Sequence, residues 1–322
     1  MKTTRTGGER STWGARDDQA PVDAVESALS ALEQDRVSGT VDLQERSLDD
    51  AQCDRLAAAL GRAECQVTEL DLSSATLSTL TPILRALVRA RRLERLKLGY
   101  LCIFKRGGNF SLHDRHFKLL EQLLQEDRLR ELDLSGQNLC STQQGQPQNL
   151  YLTLGVLFEA LGKCSTLETL TLKHARFDET SLGALSVALQ RRESLSGVRC
   201  LDLRHVNVGA EQVATFVLEL ASNNLLRVLL LSATDGDAAA QLAEAAHTML
   251  GMNKTLCELA LPCQYDGPLL TDIKRRLAEN DSLRTRSAMA AHMCLQAYPI
   301  PEELCREVGA TVIELEARGA RF

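Results

Sequence analysis

Along most of this 322-residue chain the phrase Leu-x-x-Leu-x-Leu returns about every thirty residues. Clear copies are Val67-Thr68-Glu69-Leu70-Asp71-Leu72, Leu129-Arg130-Glu131-Leu132-Asp133-Leu134 and Leu167-Glu168-Thr169-Leu170-Thr171-Leu172. Anchored on the last leucine, the copies fall at Leu43, Leu72, Leu98, Leu134, Leu172, Leu203, Leu231 and Leu261, spaced by 29, 26, 36, 38, 31, 28 and 30 residues. Self-similarity at such a period restricts the chain to a stacked repeat architecture. A stack presents a long surface rather than a pocket.

Each unit has an internal grammar. Leu-x-Leu alternates with period 2, the pattern of a short half-buried strand. The stretch after each strand has helical spacing: Leu182, Leu185 and Leu189 share one face after Asp178 and Glu179, which favour a helix start. The same grammar runs from Leu48-Asp49-Asp50 to Leu60, and from Asp235-Gly236-Asp237 through Gln241-Leu242-Ala243. One strand and one helix cannot bury both apolar faces alone, so neighbouring units must supply the core.

These units resemble the ribonuclease-inhibitor class of leucine-rich repeats, over about residues 40–265. The resemblance implies an α/β leucine-rich-repeat solenoid, a horseshoe with a parallel concave sheet, outer helices and a helical cap at each end. In one respect the chain departs from that class, which places Asn or Cys three residues after the second leucine. Here those positions hold Arg46, Ala75, Leu101, Gln137, Ala175, Val206, Thr234 and Gln264. The turns must satisfy their amides by other means, and a less regular stack is expected.

Composition narrows the function. Aromatic content of 4% argues against stacked-base recognition, and a net charge of −6 disfavours a nucleic-acid partner. No run of 18 apolar residues suggests a membrane span. The polar start Met1-Lys2-Thr3-Thr4-Arg5 has no apolar core of a signal peptide, so a cytoplasmic location is expected. The ten cysteines show neither Cys-x-x-Cys nor zinc spacing and are read as reduced and buried. On the same ground the sequons at Asn109 and Asn253 are read as chance. His174 and His205 occupy equivalent positions in adjacent units, but a metal would need a third ligand that the sequence does not offer. Neither a phosphate loop nor a nucleophile elbow occurs. The expectation is a non-enzymatic protein with no cofactor and no metal.

The domain reading is a disordered tail over 1–20, a helical cap over 21–39, the repeat array over 40–284 and a second cap over 285–322. In that second cap, helices are expected at 285–297 and 301–317, the latter opened by Pro301-Glu302-Glu303. The segment Tyr298-Pro299-Ile300-Pro301 also looks faintly like the opening of an F-box, a module that would imply a ubiquitin-ligase adaptor. The two longest periods carry their excess after the strand, in residues 101–110 and 140–149 of adjacent units. These insertions should emerge on one edge, the first bearing Phe104, Lys105, Arg106 and Phe110 around Gly107-Gly108; either they are tolerated loops or that edge binds.

Strand alternation names the side chains of the concave face. Between the two leucines stand Asp42, Asp71, Lys97, Asp133, Thr171, Asp202, Leu230 and Ala260. The preceding column adds Glu69, Arg95, Glu131, Thr169, Cys200, Val228 and Glu258, and the following one Lys173 and Arg204. Acidic residues dominate the first half, a basic spot sits in the middle and the far end is apolar. Leu-Asp-Leu is also ordinary grammar in this repeat class, which is the competing account of the aspartates. The candidate binding residues are therefore Asp42, Asp71, Arg95, Lys97, Glu131, Asp133, Lys173, Asp202 and Arg204, with Phe104, Lys105, Arg106 and Phe110 on the edge. The leading expectation is a monomeric scaffold that binds a protein partner. A small-GTPase or cytoskeletal regulator is the alternative, since some relatives of this repeat class act so. The Ala- and Arg-rich chain with its polar start also looks like a bacterial effector delivered into host cytoplasm.

Overall fold

The computed structural model describes residues 20–34, 37–105, 108–110, 112–140, 149–190, 197–232, 236–261 and 269–297. In chain order its strands are β1 (Ser38–Asp42), β2 (Ser47–Leu48), β3 (Gln66–Asp71), β4 (Thr76–Leu77), β5 (Arg95–Lys97), β6 (Cys102–Lys105), β7 (Gly108–Phe110), β8 (Glu131–Asp133), β9 (Thr169–Thr171), β10 (Cys200–Asp202), β11 (Val228–Leu230) and β12 (Glu258–Ala260). Its helices are α1 (Ala20–Glu33), α2 (Asp50–Leu60), α3 (Thr81–Arg89), α4 (Asp114–Gln125), α5 (Asn149–Lys163), α6 (Glu179–Gln190), α7 (Ala210–Glu219), α8 (Gly236–Met252) and α9 (Leu269–Ala297).

One strand per unit joins an eight-stranded sheet in the order β1-β3-β5-β8-β9-β10-β11-β12, and every pairing is parallel. The register is that of the repeat: Leu70, Leu96, Leu132, Leu170, Leu201, Leu229 and Leu259 stand directly opposite one another. The last strand leucines continue the ladder, with Leu72 N–H donating to Lys97 O at 2.9 Å, Leu134 to Thr171 O at 2.9 Å and Leu172 to Asp202 O at 2.8 Å. This is architecture of the leucine-rich-repeat type.

The turn after each strand answers how the amides are satisfied without the expected Asn or Cys. The second residue past the last leucine is left-handed in six units: Glu45, Ser74, Tyr100, His174 and His205 at φ of 55–59°, and Gly136 at 70°. Non-glycine residues pay a steric penalty there. The geometry aims each N–H at the next unit: Glu45 to Ser73 O at 3.0 Å, Ser74 to Gly99 O at 2.7 Å, Gly136 to Lys173 O at 2.8 Å and His174 to Arg204 O at 2.9 Å. Backbone thus does what a side-chain amide does elsewhere, except at His205, whose N–H donates to Ser232 Oγ at 2.5 Å.

Past that turn a second, smaller sheet runs β2-β4-β6-β7. The first insertion is not a loop but a hairpin, β6 and β7 paired antiparallel, which ends this sheet after three units. Gln137 spans the resulting gap: its Nε2 donates to Leu98 O at 3.0 Å and its Oε1 accepts from Leu112 N–H at 3.3 Å. Among the described residues at the positions where the repeat class has Asn or Cys, Gln137 keeps a side-chain amide in that service, buried to 1% exposure. Residues 141–148 of the second insertion lie outside the described residues.

On the opposite, helix-to-strand turns, side chains do staple units together. Asp127 accepts from Ser165 N–H at 2.7 Å and Thr166 N–H at 3.1 Å. Asn253 donates to Asn223 O at 2.7 Å and accepts from Leu256 N–H at 2.9 Å, while Asn280 donates to Leu256 O at 2.8 Å. Asn253 is 3% exposed, so its sequon is closed to a glycan in the folded chain.

The helices begin where the acidic residues indicated. Asp49 accepts from Gln52 N–H at 2.8 Å and donates its own N–H to Gln52 Oε1 at 3.2 Å, a reciprocal cap. Asp178 and Ser181 repeat it. Successive helices pack side by side, and one continuous core runs from Leu29 of α1 through Leu56, Ile83, Phe117, Leu157, Leu185, Phe216 and Leu242 to Ile273. Each such side chain contributes roughly 1.5–3 kcal/mol by leaving water.

At the far end the helix expected at 285–297 is present as the second half of α9, which begins at Leu269. Leu283 is 49% exposed, and Asn280 carries the stapling role within the helix. The helix expected at 301–317 and the segment opening at Tyr298 lie outside the described residues, as does the tail over 1–19. Seven described cysteines are free, of which Cys53 and Cys164 are buried and the rest half-buried.

Removing the Gln137 amide leaves a buried carbonyl and a buried N–H without it. Gln137→Leu should lower unfolding free energy by about 1–3 kcal/mol in chemical denaturation. Gly183→Ala, in open space on α6, should be neutral or stabilise by up to about 1 kcal/mol.

Candidate partner-binding face

The sheet that fixes the core also fixes what faces away from it. The columns given by strand alternation form continuous rows: Thr40, Glu69, Arg95, Glu131, Thr169, Cys200, Val228, Glu258, and beside it Asp42, Asp71, Lys97, Asp133, Thr171, Asp202, Leu230, Ala260. All are exposed or half-buried except Asp202, which is 6% exposed.

The aspartates serve the turns. Asp42 accepts from Gln44 N–H at 2.9 Å, Asp71 from Ser73 N–H at 2.9 Å, Asp133 from Ser135 N–H at 2.7 Å and Asp202 from Arg204 N–H at 3.0 Å. One carboxylate oxygen of each is therefore committed to local structure, the repeat grammar that Leu-Asp-Leu suggested.

The acidic first half is also partly neutralised. Glu69 is a hub, accepting from Arg95 Nε at 2.8 Å and Lys97 Nζ at 2.7 Å, with Asp71 3.6 Å from the same Lys97. Lys97, then Arg95, holds the Glu69 carboxyl below its ordinary value against the burial that opposes this. Arg204 closes on Asp202 at 2.6 Å; burial pushes that carboxyl up, and the Arg204 bonds outweigh it. Among the described residues no ion pair closes on Asp42, Glu131 or Asp133. Carboxylates without a closed ion pair thus remain at Asp42 on the first strand and at Glu131 and Asp133 mid-sheet, the latter two directly opposite Arg95 and Lys97. Lys173 stands half-buried one strand further on.

The left-handed turn column adds a feature only partly legible in the sequence. His174 and His205 stack with ring centroids 4.6 Å apart and planes 17° from parallel. Tyr100, 44% exposed, lies 5.9 Å from His174 across Gly136. A Cβ on Gly136 would come 2.5 Å from the Tyr100 ring, so glycine is what lets the ring lie there. Partial burial, then His205 and Lys173, depress the His174 pKa. Among the described residues no three His, Cys, Asp or Glu are placed to hold a metal ion. Tyr100 was legible in principle, because it shares its repeat position with both histidines. The Glu69 hub was legible as a column neighbour of Arg95, but its reach to Lys97 depends on rotamers.

On the edge, Phe104 and Lys105 lie on β6 and Phe110 on β7, with Phe104 opposite Asn109. Arg106 lies outside the described residues. No described helix is long and apolar enough to cross a membrane.

No family model and no curated protein matches the chain. Among solved structures it is similar to leiomodin-1 actin-binding site 2, at 17% identity over 55% of this chain and 97% of that one, with a TM-score of 0.40. It is also similar to a tropomodulin C-terminal domain from Caenorhabditis elegans, at 10% identity over 82% and 97% of the two chains, with a TM-score of 0.25. With overlap this partial, the architecture rests on register and burial alone.

Two outcomes test this geometry. Because the folded state holds the Glu69 carboxyl below its ordinary 4.5, its contribution is complete above that pH and is lost as pH falls through the lowered value. Thermal melts of Glu69→Gln should therefore vary less below pH 4.5 than those of the parent. Gly136→Ala should cost about 1 kcal/mol or more, and should move the Tyr100 ring off His174, readable as a changed tyrosine fluorescence.

Proposed function

We propose that this chain is a non-enzymatic scaffold that binds a protein partner across the open face of its main sheet, with the sheet curved so that this face is concave. The observation that supports it most directly is a mid-sheet group of charges in which Glu131 and Asp133, opposite Arg95 and Lys97, close no ion pair among the described residues. To one side lies the Tyr100–His174–His205 rim, and further along come Val228, Leu230 and Ala260. Exposed rings beside charge are the chemistry of interface hot spots.

The dimensions of the face support a part for the rim. Eight strands at about 4.8 Å span roughly 34 Å, and three columns of alternate residues roughly 13 Å, a projected area of about 450 Å². A standard interface takes about 800 Å² from each partner. A footprint of that size leaves room for the ring-bearing turns beside it to add contact. The binding residues proposed on this basis are Asp42, Asp71, Arg95, Lys97, Glu131, Asp133, Lys173, Asp202 and Arg204, with the turn rim and the Phe104–Phe110 hairpin at its margin. Asp202 and the Glu69-bound cations act mainly by shaping the surface.

Actin binding appears in the name of one similar structure, and the overlap is too partial to choose that partner. No described residue supports a small-GTPase regulator or a ubiquitin-ligase adaptor. The effector reading rests on the Ala and Arg content together with the polar start, and a cytoplasmic location on that start alone, most of which lies outside the described residues.

The test is affinity capture from lysate, with purified actin as one defined bait, comparing the parent chain with Glu131→Arg and Thr171→Arg combined. Neither side chain caps a turn, so folding should be retained. A specific partner should be depleted at least about tenfold by the double variant. Equal recovery of every captured protein would remove the sheet face as the binding surface.

A further inference from the structure

Where the chain enters each strand, the residue just before it also forms a row. Glu94, Arg130 and Glu168 alternate and pair along it, Arg130 lying 3.7 Å from Glu94 and 3.8 Å from Glu168. Then alternation fails: Arg199 and Arg227 come next on adjacent units, with Arg227 N–H donating to Arg199 O at 2.8 Å. Beyond them a cleft of about 470 Å³ opens between the helix-to-strand turns and α9. It is lined by Arg199, Arg227, Lys254 and Arg284, with Leu225 and Leu283 at 40% and 49% exposure, and none of its described lining residues carries a carboxylate.

Arg227 and Arg284 also border an adjoining cleft that holds Glu258 and Asp281. The side facing away from those carboxylates presents Arg199 and Lys254, both exposed, and among the described residues no ion pair closes on either. On a chain of net charge −6, a concave spot presenting Arg199 and Lys254 side by side attracts an anion. The two exposed leucines set its class, because a small inorganic anion has no use for them.

We propose that this cleft is a second docking site, for an acidic peptide segment carrying a leucine-like anchor. Carboxylates of the peptide meet Arg199 and Lys254, and the anchor covers Leu225 and Leu283. The site is separate from the sheet face, which offers negative rather than positive charge.

The test uses a fluorescein-labelled peptide of alternating Glu and Leu, titrated with the full chain in fluorescence anisotropy. Control peptides replace Glu by Gln, or Leu by Ser. Binding should be salt-sensitive, and should weaken at least about tenfold with Arg199→Glu and Lys254→Glu combined, and likewise with Leu225→Ser and Leu283→Ser combined. Glu131→Arg on the sheet face should leave it unchanged. Arg199→Gln with Lys254→Gln gives the same answer if the charge reversal fails to fold, as judged by circular dichroism. No binding by the parent chain overturns the proposal. So does equal binding of the Gln-Leu peptide, and equal binding of the Glu-Ser peptide would leave only a general anion site in its place.

Discussion

Everything in this molecule depends on backbone hydrogen bonds passed from one unit to the next at the end of each strand. The strand carbonyl and the left-handed turn amide both point along the stack, so each unit completes its neighbour rather than itself. Six residues accept a left-handed backbone for this, and only one is glycine. The strain is tolerable because each such amide would otherwise be unpaired at the sheet edge, a cost of similar or larger size. Register follows from these bonds, and the buried leucine rows follow from register.

The same register makes the outward face an arithmetic consequence of sequence. Once the leucines align, side chains at the positions between them align too, and charge pairs form across strands rather than along them. This explains why a count of acidic residues misleads. Glu69 is answered by Arg95 and Lys97 of the next strand, and Asp202 by Arg204 two residues away, whereas Glu131 and Asp133, though opposite the same two cations, close no ion pair among the described residues. The working field of the face is set by what remains after that pairing.

How much of this could be read from the chain depends on the range of each interaction. Strand positions, helix starts at Asp49 and Asp178, and the adjacency of His174 with His205 are local or periodic, and were legible. The hairpin of β6 and β7 was not, because Phe104-Lys105-Arg106-Gly107-Gly108 reads equally as a flexible excursion; its strand pairing depends on the existing edge at Thr76 and Leu77. Nor was the reach of α9, which runs as one helix from Leu269 through the stretch 285–297 where a separate helix was expected. Among the candidate binding residues, position was legible throughout the sheet, but which carboxylates stay uncommitted required side-chain geometry.

Gln137 marks a seam. On its earlier side the small second sheet carries the turns, and on its later side amide side chains of Asn223, Asn253 and Asn280 hold the opposite turns. A lineage could lengthen either block by copying a unit, since each copy brings its own joints. Duplication across the seam would instead strand a second hairpin with no edge to extend, so growth of such an array is channelled to its two flanks.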